Sequence, residues 1–352
     1  MSAAIVPVRL LLAALLAPAP ASPRPPEAGP ELRVELLVSP AVDLWFAVRA
    51  RAEEASEPAP EDPWLPAVRA AREAAQALGD PRAFGLIEGR IARCADGAAL
   101  RAALATLPED FAPRGSTGER RPIALRKIAA GMGAALAGLE DAWLREAWPA
   151  RRVRLEEARR ALEPAFAGER GAALAARVQK LVGLAPSSRA VPVHLVLSAP
   201  APGGFTHRAK EGGVSFVAVE GRGGSLLLEI VLHELLHAFD AEPGSAASLP
   251  AALRRALGEA GVEPADPAAH QAVHALFFLA AAAAVRGVVD PAHVDYGESS
   301  GLYGRLGPAG AIVRSAWERR RRGELDEAAF VAGVARAVAA EVGGRRGGAS
   351  GG

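Results

Sequence analysis

Two histidines and a glutamate in one short segment are the residues of this chain best suited to chemistry. The segment His233–His237 reads H-E-L-L-H and lies within a run of apolar residues. In an α-helix, residues four apart share a face, so the two imidazoles can hold one zinc ion. Glu234 lies about 100° around the helix from His233, where its carboxylate can act as general base on a zinc-bound water. Burying these three side chains in an apolar helix without a metal would be costly. The pattern therefore predicts a catalytic site with one zinc ion per chain.

The H-E-x-x-H pattern of His233–His237 resembles that of the zincin metallopeptidases. A metzincin would continue with glycine at position 240 and histidine at position 243, whereas this chain has Asp240 and Pro243. The resemblance is therefore to gluzincin-like zincins, and it covers roughly residues 191–305. It implies an α+β catalytic domain, zinc as cofactor, hydrolysis of peptide bonds, and a peptide or protein as substrate.

A catalytic zinc usually has three protein ligands and one open position, so a third ligand must come from elsewhere in the chain. His274 is the strongest candidate, because it precedes the apolar residues Ala275–Phe278, where an unpaired imidazole would be costly. Its helix is predicted to begin at Asp266–Pro267. His270 is expected nearer to solvent, beside the ligands or on the substrate side. Glu259, in a predicted exposed helix end, is the alternative closer to the gluzincin pattern. If no metal binds, His274 is instead a core histidine that hydrogen-bonds to a carbonyl.

Further residues are candidates for supporting roles around the zinc. Ligating histidines usually donate their second N–H to a carboxylate or carbonyl, and Glu229 and Asp240 are the local carboxylates. For both Glu229 and Asp240, the role of a charged residue on the solvent-facing side of the helix agrees equally well with the sequence. The resemblance implies a downstream tyrosine or histidine that donates to the oxyanion, with Tyr303, Tyr296 and His293 as candidates in that order. Packing between a loop and the core fits these three as well.

Composition and charge limit the other classes of function. The chain has 352 residues, a net charge of +1 and only 5% aromatic residues, which argues against a nucleic-acid partner. Cys94 is the only cysteine, so an internal disulfide and a thiolate zinc site are excluded. It is expected to be buried in an apolar helix. The run Arg319–Arg322 is predicted to end a helix that Gly323 closes.

The N-terminus has the features of a secretory signal. A short apolar stretch, Leu10–Leu16, is followed by small residues that predict cleavage before Ser22. Residues 1–21 therefore predict export to the periplasm or the medium. The apolar stretch Ala275–Val285 is predicted to be a buried core helix, so no stable membrane span is expected after cleavage of the signal.

The remaining chain divides by composition into several regions. Residues 22–30 are predicted to be a Pro-rich linker, 31–188 a mostly helical N-terminal domain, 189–342 the zincin-like domain, and 343–352 a flexible Gly-rich tail.

Two details concern the residues before the zinc helix. The glycine pairs in residues 203–213 predict a turn-rich loop, and Val214–Val219 is the predicted edge strand that would bind an extended substrate. Ser225 is the predicted N-cap of the zinc helix.

Two alternatives to an exported zinc peptidase fit the same sequence. The zincin-like region could hold metal without activity and serve as a binding module. The chain could also be a helical interaction protein whose histidines are simply packed.

Overall fold

The protein is described here from a computed structural model, which covers residues 32–348 except 55, 57, 79–83, 95, 107–124, 188, 200–202 and 210–211. The predicted signal peptide and linker lie outside these residues. The strands are β1 (Val34–Leu37), β2 (Val191–Val196), β3 (Gly204–Ala209) and β4 (Gly212–Ala218). The helices of the N-terminal half are α1 (Pro40–Glu53), α2 (Leu65–Leu78), α3 (Phe84–Ile91), α4 (Gly97–Ala105), α5 (Leu125–Ala142), α6 (Trp148–Phe166) and α7 (Gly168–Val182). The later helices are α8 (Gly224–Asp240), α9 (Leu249–Glu259), α10 (Pro267–Val288), α11 (Tyr296–Ser299), α12 (Leu302–Arg305), α13 (Gly307–Arg321) and α14 (Glu327–Gly348).

The strands form one mixed sheet in the order β1-β2-β4-β3. β1 pairs parallel with β2, β2 pairs parallel with β4, and β3 pairs antiparallel with β4. Helices make up most of the described residues and surround this small sheet. The protein is therefore an α+β protein, in agreement with the predicted class.

The two edge strands of the described sheet are β1 and β3, so the prediction of Val214–Val219 as the edge strand is wrong. β4 lies between β2 and β3, so its two sides are both paired. The segment 203–213, predicted to be a loop, contains β3, whose Phe205 pairs with Phe216 of β4. Glycine pairs are typical of turns, but glycine in a strand also marks a close approach of another backbone or side chain, which is the case here.

Helix α8 packs against β3 and β4 on one side and against α10 on the other. The core around α8 and α10 also contains side chains from α6 and α7, such as Leu155 and Val178. β1, from the N-terminal half, pairs with β2, so the two halves of the chain share this sheet as well as this core. Helix α10 is long and apolar enough to cross a membrane, but 83% of its most apolar window is buried inside the protein. This burial confirms the predicted core helix.

Three other expectations can be compared with the fold. Cys94 is buried as expected, but it follows the end of α3 instead of lying within a helix. Helix α13 ends at Arg321, and Gly323 follows with a φ of +78°, as predicted. Helix α14 continues to Gly348, so the predicted tail beginning at Gly343 is partly helical. Extending an existing helix costs only about 1 kcal/mol per glycine, whereas starting one is far harder.

A buried ion pair connects α1 to α6 and to the sheet. The carboxylate of Asp43 is fully buried and accepts hydrogen bonds from Arg151 Nε at 2.6 Å and Arg151 Nη2 at 3.0 Å. It also accepts one from the backbone N–H of Leu197, just after β2, at 2.7 Å. One side chain thereby holds three separate parts of the chain together.

We expect Arg151→Ala to lower the free energy of unfolding by about 3–5 kcal/mol, because it leaves the buried Asp43 carboxylate without its charge partner. Arg154→Ala is the control, since Arg154 and Glu220 form a mostly exposed pair at 3.7 Å. Such surface pairs contribute about 0–1 kcal/mol. Urea denaturation of both variants measures the difference, and equal effects would contradict the role given to Asp43.

Candidate metal centre

Helix α8 carries His233, Glu234 and His237, and its first turn differs from the prediction. Its N-cap is Gly223, not Ser225. The hydroxyl of Ser225 donates instead to Asp290 Oδ2 at 2.8 Å, and it lies 3.0 Å from Nδ1 of His293. Ser225 therefore bonds to the loop after α10, which attaches the start of α8 to that loop.

Helix α10 begins as predicted, with Asp266 as N-cap and Pro267 in the first turn. The carboxylate of Asp266 accepts the N–H of Ala268 at 2.9 Å. From this start the helix passes along α8 and brings His274 to the face that carries His233 and His237.

One ring nitrogen from each of His233, His237 and His274 lies within 4.8 Å of the other two. Nε2 of His233 is 2.9 Å from Nε2 of His274 and 3.2 Å from Nε2 of His237. Tetrahedral zinc with bonds of about 2.0–2.1 Å would separate two ligand nitrogens by about 3.3–3.4 Å. Three imidazole nitrogens that converge in this way are a donor set that fits zinc.

Burial favours the neutral form of His233 and His274, which is the form that a metal requires. Burial lowers the pKa of His233 well below its usual value, and nearby His237 and His274 lower it further. Burial lowers the pKa of His274 to about 4, and His270 adds to this effect. Protonation of His233 and His274 would therefore not block metal binding at neutral pH.

Two phenylalanines of α10 fix the orientation of the rings on α8. The ring of Phe278 stacks on His233 with centroids 3.6 Å apart and planes at 17°. The ring of Phe277 contacts His237 edge-on, with centroids 4.7 Å apart. Packing of this kind limits rotation of the imidazoles and so reduces the entropy that metal binding would otherwise cost.

Glu234 is buried beside the three histidines and held by strand β3. Its Oε1 lies 3.9 Å from Nε2 of His233. The hydroxyl of Thr206 lies 2.7 Å from Oε2 of Glu234, 2.9 Å from its carbonyl oxygen and 2.9 Å from the hydroxyl of Ser215. Burial raises the pKa of Glu234 to about 8, and the Thr206 hydrogen bond opposes this rise. A bound cation would lower the pKa of Glu234 again.

The sequence did not indicate Thr206 or Gly204 as site residues, because their strand was predicted to be a loop. A Cβ atom at Gly204 would lie 2.9 Å from Oε1 of Glu234 and 3.2 Å from Cγ2 of Ile230. A side chain at position 204 would therefore crowd the Glu234 carboxylate where β3 approaches α8. Strand alternation then directs Thr206, two residues on, to the same face.

The two predicted supporting carboxylates bind other partners. Oε2 of Glu229 lies 2.6 Å from Nε2 of His293 and accepts the N–H of Tyr296 at 2.9 Å. Asp240 forms a two-fold hydrogen bond with Arg254. Both carboxylates are buried, so neither is a solvent-facing helix charge. Nδ1 of His233 has no hydrogen-bond partner among the described residues.

Tyr303, His293 and Tyr296, the three residues predicted to donate to the oxyanion, have different surroundings. The hydroxyl of Tyr303 is buried and donates to the carboxylate of Asp295 at 3.1 Å. His293 is buried between Glu229 and Ser225. The ring of Tyr296 stacks on Phe278, with centroids 5.7 Å apart, and Phe278 in turn stacks on His233. Of the three, Tyr296 is the one that contacts Phe278, which stacks on His233 of the cluster.

The alternative third ligands are both exposed. His270 lies one turn before His274, with ring centroids 5.4 Å apart. Glu259 is the last residue of α9 and is not among the residues of the cluster. The geometry therefore favours His274 over both.

A cavity of about 190 Å³ opens beside His237 and His274. It lies between the end of α8, helix α9, the loop that follows, and the first turns of α10. Its other lining residues are Arg254, Leu257, Val262, Pro264, Ala269, His270, Val273 and Phe277. A molecule bound there would contact two of the three imidazoles.

Comparisons of the chain with protein-family profiles, with curated proteins and with solved structures found no match. The chemistry of the site is therefore inferred from its own residues.

Proposed function

We propose that this protein is an exported, zinc-dependent metallopeptidase that hydrolyses peptide bonds in a peptide or protein substrate. One observation carries the proposal: a glutamate oxygen lies 3.9 Å from a histidine nitrogen, at the point where three imidazoles converge. Three protein ligands that leave one position open are typical of catalytic zinc sites, and the buried carboxylate lies beside them. Export is proposed from the sequence of residues 1–21 alone.

Each residue has a defined task in this proposal. His233, His237 and His274 would hold one zinc ion. When bound, the ion supplies Lewis-acid polarisation of the substrate carbonyl and lowers the pKa of water. Glu234 accepts a proton from the attacking water on a carboxylate oxygen and then passes it to the leaving amine.

Strand β3 and Tyr296 complete the proposed site. Thr206 orients the carboxylate of Glu234, and Gly204 leaves room for it. Tyr296 is the proposed donor to the oxyanion, in place of Tyr303, whose hydroxyl is bonded to Asp295. The proposed substrate-binding edge is β3, because β4 is paired on both sides and β3 is the edge strand that packs against α8.

Thr206→Val is expected to lower kcat by roughly 10–100-fold and to leave zinc content unchanged. A hydrogen bond to a charged group contributes about 1.5–3 kcal/mol, and the loss would leave the Glu234 carboxylate free to rotate. Thr206→Ser, which keeps the hydroxyl, is the matched control and should retain most of the wild-type kcat. The role of Thr206 would be contradicted if the serine variant were as slow as the valine variant.

The proposed function is tested by incubating the zinc-loaded protein with a peptide library and identifying products by mass spectrometry. We expect cleavage that a chelator abolishes and added zinc restores. A variant with His233→Ala and His237→Ala, purified in the same way, controls for contaminating peptidases. Cleavage by that variant would overturn the proposal. Stoichiometric zinc without cleavage would favour an inactive binding module, and absence of zinc would favour a helical interaction protein.

A further inference from the structure

The cavity beside His237 and His274 is large enough for one side chain and smaller than most small-molecule pockets. Its volume is about 190 Å³. Pockets that hold entire small molecules usually measure about 300–1,000 Å³. Because two of the proposed zinc ligands form part of its wall, a substrate carbonyl at the cluster would bring a neighbouring side chain to this cavity.

The wall of the cavity is mainly apolar. Six of its lining residues have apolar side chains: Leu257, Val262, Pro264, Ala269, Val273 and Phe277. Such a wall favours an aliphatic or aromatic side chain, since burial of apolar surface stabilises the complex.

Arg254 also lines the cavity, and its charge would favour an acidic side chain if it were available. Its Nη1 donates to Asp240 Oδ1 at 2.9 Å, and its Nη2 donates to Asp240 Oδ2 at 2.5 Å. The Asp240 side chain is 1% exposed and that of Arg254 is 42% exposed. Two parallel hydrogen bonds of this kind fix the planar guanidinium and compensate its charge.

We infer that Asp240 determines which substrates are accepted, by holding Arg254 in a compensated ion pair on the wall of this cavity. The cavity then takes an uncharged apolar side chain next to the scissile bond. An acidic side chain is rejected, because its carboxylate would lose water and find the guanidinium already engaged by Asp240. Asp240 is thus a specificity-determining residue that acts through Arg254. This inference rests on the proposed peptidase function.

The test compares wild type with Asp240→Asn on peptides that differ only in having leucine or glutamate at the position that enters the cavity. Wild type and variants are measured at the same pH and ionic strength. We expect wild type to prefer the leucine peptide. In Asp240→Asn, kcat/KM for the glutamate peptide, divided by kcat/KM for the leucine peptide, should rise on the order of tenfold. Adding Arg254→Met to Asp240→Asn should reverse this rise.

A folded Asp240→Asn variant with an unchanged ratio would overturn the inference, as would a rise that persists after Arg254→Met. If Asp240→Asn does not fold, Val273→Phe provides the second variant. By filling the cavity it should shift the wild-type preference from leucine to alanine, and no shift would count against the cavity as the binding site.

Binding to uncleaved ligands separates this inference from the proposed function. The probes are acetyl-glycyl-leucinamide and acetyl-glycyl-glutamate amide, and the readout is the histidine ring signals in NMR spectra. Tighter binding of the leucine probe to wild type, with a smaller difference in Asp240→Asn, would support the cavity even if no peptide were cleaved. Equal binding of the two probes, or failure of both to bind, would overturn it.

Discussion

Replacing Glu234 with glutamine is expected to lower kcat/KM for peptide hydrolysis by about 10²–10⁴-fold, the usual contribution of a general base. The amide has almost the same shape as the carboxylate and can still accept the Thr206 hydrogen bond, but it cannot take a proton from water. The three histidines are untouched, so zinc content should equal that of wild type. Steady-state kinetics on a cleaved peptide, with metal analysis of the same preparation, measures both quantities.

Glu259→Gln is the matched control for this experiment, because Glu259 is an exposed glutamate at the end of α9. It should have wild-type activity and wild-type zinc content. Wild-type activity in Glu234→Gln would show that Glu234 is not the base. Loss of zinc in Glu234→Gln would show instead that the carboxylate contributes to metal binding.

Replacing His274 with alanine is expected to lower zinc affinity by more than about a hundredfold. Loss of a residue that only supports a ligand costs about 10–100-fold, and loss of a ligand should cost more. The measurement is thermal or urea unfolding with and without zinc. Wild type should gain about 2.7 kcal/mol when free zinc is 100 times Kd, and His274→Ala should gain almost none at the same concentration.

His270→Ala serves as the control for His274→Ala, since it removes an imidazole one turn away on the same helix. It should retain the zinc-dependent stabilisation of wild type. The opposite pattern, with stabilisation lost in His270→Ala and kept in His274→Ala, would contradict the assignment of the third ligand.

The cluster of histidines could be predicted because local rules determine its main parts. Spacing of four residues brings His233 and His237 to one helix face. The cap at Asp266 and Pro267 fixed where α10 begins, and the apolar residues after His274 predicted its burial. These features depend on neighbours in sequence, which is why the structure agrees with them.

The supporting residues could not be predicted because their partners are distant in sequence. Glu229 pairs with His293, 64 residues away, and Thr206 contacts Glu234, 28 residues away. Gly204 looked like part of a turn, although its missing side chain leaves room for the Glu234 carboxylate. Whether such a side chain contacts a distant partner or faces solvent depends on tertiary packing. The periodicity of helices and strands in the sequence does not predict that packing.

The fold class could be predicted in outline, but the sheet could not. Its order places β4 between β2 and β3, so the strand predicted to lie at the edge lies inside the sheet. The attachment of α1 to α6 and to the sheet also depends on long-range contacts, those of Asp43 with Arg151 and Leu197. Such pairs cannot be predicted from the local periodicity of apolar residues.

Metal content of the purified wild-type protein, measured by elemental analysis, tests the central proposal most directly. Zinc should be present at about one ion per chain, be removed by a chelator, and return on reloading with zinc. A protein that contains no zinc, and binds none after incubation with an excess of it, would contradict the metal centre. The histidines would then be packed core residues of a helical protein, and the proposed hydrolysis would have no basis.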